Sequence, residues 1–117
     1  MKVQKTRIWA DIKGEQVVIY FLGASVREMA DVQKIMDEID EVAGNGKIEV
    51  VVLNFARVQQ LTSSFLGRLI GLSKSLKQSG VTLRLCGMAP QVEEAFKICK
   101  LQKLIPLYPS EEKALEG

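Results

Sequence analysis

Ile48-Glu49-Val50-Val51-Val52-Leu53-Asn54-Phe55 is a nearly continuous apolar run. A strand buried on both faces reads this way, as in the middle of a parallel sheet. Downstream, Leu66, Leu69, Ile70 and Leu76 recur at helical spacing within a segment from about Ser64 to Gln78, and Gly80 ends it. Val81-Thr82-Leu83-Arg84-Leu85 is a second buried run, followed by Gly87 and by Pro90 at the first position of a third helix, Val92 to Lys100. A short strand, Ile105 to Tyr108, and a helical turn capped by Ser110-Glu111-Glu112 close the chain.

Upstream, Ile8 to Ile12 and Val17 to Leu22 flank Lys13-Gly14-Glu15-Gln16, a hairpin signal. Ser25-Val26-Arg27-Glu28 fits a capping box. Behind it Met29, Val32, Ile35, Met36, Ile39 and Val42 form a helical stripe, with Gly44-Asn45-Gly46 as its stop. Two strands followed by alternating helices and strands predict a mixed α/β fold. Its sheet has four to five mainly parallel strands, an antiparallel N-terminal edge and helices packed against it. In such sheets the functional loops lie beyond the carboxyl ends of the strands, here Gln59 to Ser64 and Gly87 to Pro90.

The 117 residues suit one domain, 1–117, with 47% apolar residues for its core and 26% charged residues for its surface. A net charge of +2 argues for neither nucleic acid nor an anionic membrane. With no histidine, Ser-His-Asp triads, Cys-His pairs and histidine-ligated zinc are excluded, and no Walker A or G-x-G-x-x-G sequence is present. No metal, cofactor or catalysis is expected. Cys86 and Cys99 read as buried thiols in a reducing compartment. Without a leader-like segment or a membrane-length apolar run, the expectation is a soluble cytoplasmic protein with no membrane insertion.

Three ordered pieces carry a family likeness. They are Val51-Val52-Leu53-Asn54-Phe55; Leu61-Thr62-Ser63-Ser64-Phe65-Leu66-Gly67-Arg68-Leu69; and Gly80-Val81-Thr82-Leu83-Arg84-Leu85-Cys86-Gly87. Pro90-Gln91-Val92 and Leu101-Gln102-Lys103-Leu104 extend it. Together they resemble the STAS family, the domain of bacterial anti-sigma-factor antagonists, stressosome scaffolds and sulfate-transporter tails. The resemblance implies partner switching. The chain would bind an anti-sigma factor of the serine-kinase type, and phosphorylation by that kinase would end the binding. In the antagonists the loop before the second helix reads Asp-Ser-Ser/Thr-Gly. Mapped here, Thr62 stands at the Asp, Ser63 at the first serine, Ser64 at the phosphoacceptor and Phe65 at the glycine. The Ser-Phe-Leu-Gly-Arg wording is closer to the scaffolds, whose acceptor aligns one position earlier, so Ser63 stays open beside the favoured Ser64. The alternatives are a scaffold subunit assembling with itself or with other STAS proteins, and an accessory subunit of a transporter.

The residues themselves allow a simpler reading beside each sharper one. A serine at a helix start is first of all a cap. As a switch, its phosphate would meet backbone N–H groups and the helix dipole, with Arg68 four residues on. Phe65 is expected to stiffen and widen the turn. Gly67 and Gly71, one turn apart, cost helix stability; they serve either close packing on a neighbouring helix or a flat strip for a partner. Thr62, Phe65, Gly67, Arg68, Gly71 and Met88 are the candidate partner-contacting residues. Six acids against two bases from Arg27 to Ala43, and five bases with no acid from Ala56 to Val92, give either complementary neighbouring helices or a basic docking face. Trp9, in an edge strand, is read as a core-facing aromatic.

Overall fold

In the computed structural model, which describes residues 1–22, 29–44 and 46–117, six strands form one sheet in chain order. They are β1 (Lys2–Gln4), β2 (Ile8–Lys13), β3 (Gln16–Phe21), β4 (Val50–Asn54), β5 (Thr82–Cys86) and β6 (Leu107–Tyr108). The first three pair antiparallel and the rest parallel, so the mixed architecture expected from the sequence is the one observed. The added strand is β1, whose Val3 opposes Ala10. Three residues, two of them polar, are too few to show alternation. β1 is consequently the edge, and β2 lies inside it.

Helices α1 (Met29–Ala43), α2 (Ser63–Gln78) and α3 (Pro90–Ile98) follow the expected segments, a 3-10 turn (Leu101–Lys103) comes after α3, and the expected terminal turn is a six-residue helix α4 (Glu111–Glu116). The Ser25–Glu28 capping box lies outside the described residues, as does Asn45 of the expected stop. Gly46 takes the left-handed φ of +84° that such a stop uses.

The alternation of the strands sorts the two faces of the sheet. Ile8, Ala10, Val17, Ile19, Phe21, Val51, Leu53, Leu83 and Leu85 point to one side. There they join Val32, Ile35, Ile39, Phe65, Leu69, Leu72, Leu76 and Phe96 in the main core. The opposite face carries Val18, Val52 and Cys86, which pack with Ala114 of α4 in a smaller cluster bordered by Tyr20 and Tyr108. This is why β4 reads as apolar on both faces.

Trp9 is on that second face, not in the main core. It is half-buried, its ring 5.0 Å from that of Tyr20 and 5.5 Å from the Lys2 ammonium. Its strand partner across β3 is Tyr20, whereas the core-facing neighbours of the pair are Ile8 and Ala10. Cys99 is exposed, because it follows the last turn of α3, while Cys86 is buried as expected.

Candidate functional site

The loops after β4 and β5 meet at the carboxyl edge of the sheet, where the Phe55 amide donates to the Cys86 carbonyl (2.9 Å). Gly87 makes the meeting possible. Its φ is +72°, and a Cβ there would stand 3.0 Å from Asn54 Oδ1 and 3.5 Å from the Ala56 nitrogen. The Ala56 amide donates to Asn54 Oδ1 (2.9 Å), an Asx turn that bends the chain out of β4.

Six residues later α2 begins, and its cap is Thr62, not a serine. Thr62 is extended, at φ −101° and ψ 161°, and its Oγ1 accepts from the Phe65 amide (3.1 Å). Ser63 and Ser64 therefore occupy the first two helical positions with exposed side chains. The threonine that replaces the acidic residue of the family pattern takes the structural duty and leaves both serine hydroxyls without it. No acid stands in the first turn, so the partial positive charge of the helix start is not offset locally.

Phe65, expected as a partner contact in a widened turn, is a core residue. It is 0% exposed, with its ring 5.9 Å from Phe21 and 6.2 Å from Phe55 by centroids. Position three of α2 faces the sheet, so the side chain fills the core instead of shaping the loop surface. Burying such a ring is worth roughly 1.5–3 kcal/mol, which anchors the amino end of α2.

Gly67 and Gly71 do not serve close helix packing. Both are exposed, and a Cβ at either would meet no atom within 4 Å. They floor an open groove of about 280 Å³ between α1 and α2, with Arg68, Leu72 and Ser75 on one helix and Gln33, Met36 and Asp40 on the other. The Asp40 carboxyl is raised above the ordinary range, by burial first and then by the charge of Asp37. Arg68 is exposed and has no ion pair among the described residues. Two acids of α1 turn away from it: Glu38 accepts from the Thr6 and Arg7 amides, and Glu41 pairs with Lys5 (3.0 Å). Met88 sits apart in the β5–α3 loop, partly buried against the core.

The polar residues around α4 were not singled out from the sequence. Glu111 Oε1 accepts from Tyr20 Oη (2.5 Å) and from Asn54 Nδ2 (3.2 Å). Burial and then the Glu111 bond push the Tyr20 hydroxyl well above its usual pKa. A polar Asn54 at the end of an otherwise apolar run was the available signal. Among the described residues no group of three or more Cys, Asp or Glu side chains is placed to hold a metal, and no helix is long and apolar enough to cross a membrane.

Residues 13–114 of the chain match the STAS domain family. The chain belongs to that family. A curated relative, the anti-sigma F factor antagonist of Paenibacillus polymyxa, is 31% identical over 78 residues, 67% of each chain. Among solved structures, the anti-sigma-factor antagonist (STAS) domain protein of Planctomyces limnophilus superposes with a TM-score of 0.80 at 21% identity, covering 93% of this chain and 94% of that one. The Bacillus cell fate determinant SpoIIAA, solved in its phosphorylated form, gives 0.68 at 22% identity, covering 93% and 96%. At these identities the superpositions establish a shared STAS fold.

Proposed function

We propose that this STAS domain is a cytoplasmic anti-sigma factor antagonist. It binds an anti-sigma factor of the serine-kinase type through the start and exposed face of α2, and phosphorylation of Ser64 by that kinase ends the binding. It is substrate and competitor, and catalyses nothing itself.

The observation that carries this reading is the division of labour at the start of α2. Thr62 caps the helix, and Ser64 is exposed with no hydrogen bond to its hydroxyl among the described residues. A phosphate there adds about −1.5 to −2 charges, at a helix start that favours an anion and one turn before Arg68, which has no ion pair among the described residues. The fold would survive while the docking face changes sign. Ser63 has Gly67, not an arginine, four residues on, which favours Ser64 of the two. The Paenibacillus relative is an anti-sigma F factor antagonist, and the Bacillus neighbour exists in a phosphorylated form.

The test is incubation with the kinase-type anti-sigma factor and ATP, followed by mass spectrometry of the Thr62-to-Arg68 peptide and calorimetry of the separated forms. Phosphate on Ser64 with at least tenfold weaker binding is expected. An unmodified peptide and equal affinity for wild type and Ser64→Asp would overturn the proposal. Large homotypic particles by light scattering would replace it with the scaffold role.

A further inference from the structure

Asn54 joins two elements, α4 on the second face of the sheet and the β4–α2 connection at its carboxyl edge. Its Nδ2 donates to Glu111 on α4 (3.2 Å), and its Oδ1 accepts from Ala56, the second residue of the β4–α2 connection (2.9 Å). The side-chain amide is planar, so one partner fixes the plane for the other. A carboxylate can only accept and a backbone N–H can only donate, and both demand the same orientation. Gly87 leaves the space that Oδ1 needs.

The far end of this chain of bonds is a light structure. α4 has six residues and buries one of them fully, Ala114. Leu115 packs beside it, partly buried, and polar contacts from the sheet supply the remaining hold. Tyr20 and Asn54 bond Glu111 Oε1, Arg84 donates to the Ala114 carbonyl (2.8 Å), and Gln16 donates to the Leu115 carbonyl (3.0 Å). Lys13 stands 3.9 Å from Glu111 Oε2. So short a helix has little stability of its own, and its seating depends on these bonds.

We propose that Asn54 is a positioning residue that couples the seating of α4 to the start of the loop presenting Ser64, so that release of α4 loosens the phosphoacceptor end of the protein. The regulatory half rests on the function proposed above, whereas the positioning half does not. With Glu111 detached, the Asn54 amide loses one of its two tethers and the Asx turn at Ala56 opens more often. Phosphate transfer and partner docking, both at the far end of that loop, then respond to whatever holds or displaces α4.

Amide hydrogen exchange on the whole chain, without partner, reads the positioning directly. Glu111→Ala is expected to speed exchange at Ala56 roughly threefold to tenfold, the span of one net hydrogen bond, with the interior of α2 around Leu72 unchanged. Asn54→Ala removes the Ala56 protection outright, and adding Glu111→Ala to it has no further effect there. Asn54→Asp keeps the acceptor for Ala56 and sets a second carboxylate against Glu111. It is expected to release α4 with the Ala56 amide still protected. Glu111→Gln, which retains an acceptor, gives a smaller effect in the same direction and serves if the alanine variant does not fold. Ala56 exchange within twofold of wild type in Glu111→Ala, with α4 amides accelerated, would overturn the coupling. Faster Ala56 exchange with unaltered phosphate transfer to Ser64 and unaltered partner affinity would overturn the regulatory half. A wild-type chain that binds no kinase-type partner would count against the proposed function, and the exchange result would still decide the positioning.

Discussion

Replacing Thr62 by alanine removes the hydroxyl that accepts from the Phe65 amide and leaves three consecutive amide donors at the start of α2 without a side-chain acceptor. Loss of such a cap costs about 1 kcal/mol. For 117 residues, an unfolding entropy of about 2.1 cal/mol/K per residue makes this a fall of about 4 °C in Tm. Thr62→Ser should recover most of it, because the acceptor oxygen returns. Ser63→Ala and Ser64→Ala should each stay within about 0.5 kcal/mol of wild type, as exposed substitutions do. Thermal unfolding followed by circular dichroism at 222 nm measures all four variants under one condition. A loss in Ser64→Ala equal to that in Thr62→Ala would show that the second serine shares the cap. The division of labour behind the proposed switch would then be refuted. If the ranking holds, any change in partner binding by Ser64→Ala belongs to the hydroxyl and not to a weakened helix.

Gly71→Ala should stabilise the chain by roughly 0.5–1 kcal/mol, since a helical glycine is exchanged for a better helix former into open space. Weaker partner binding by the same variant would mark the groove as part of the docking face, and a lowered Tm would show the space to be filled. In native protein near pH 8 only Cys99 should react with a disulfide reagent, and two thiols per chain in denaturant. Cys86 is buried, and burial, then the Glu111 charge, push its thiol up to about 11. Two fast native thiols would contradict this. Asp40→Asn should raise Tm at pH 7. The raised carboxyl is less stable ionised in the folded chain than in the unfolded one, so its contribution is unfavourable above its folded pKa. The gain should fade as pH falls through the folded pKa and vanish below about 4, where the carboxyl is protonated in the folded and the unfolded chain alike. A gain that persists there would point to the helix and not to the charge.

The central sheet was legible because Val50–Leu53 is apolar at every position, the pattern of a strand buried on both faces, and because Val81, Leu83 and Leu85 give the next strand one continuous apolar face. Period alone did not reveal which side lies under which helix. Trp9 was assigned to the core because its hydrophobicity was visible and its register was not. One residue of register moves a side chain to the other face of a sheet. At the candidate site, the order of residues located the helix start to within one position, and that position decided the roles. A start at Ser64 makes a serine the cap, whereas a start at Ser63 gives the cap to Thr62 and turns Phe65 inward. The two readings of the glycines, close packing or a flat strip for a partner, could not be separated because sequence shows what a helix loses by them and not what lies opposite. The Asn54–Glu111 contact joins residues 57 positions apart, and no local pattern announces it.

Trp9 is the chain's single tryptophan, and it leans on the tyrosine that holds Glu111. Its emission is therefore a native optical gauge of the carboxyl-terminal helix. A shift in wavelength or quenching on addition of a partner would signal that the helix has lifted, with no label attached and no change made to the face that carries Ser64.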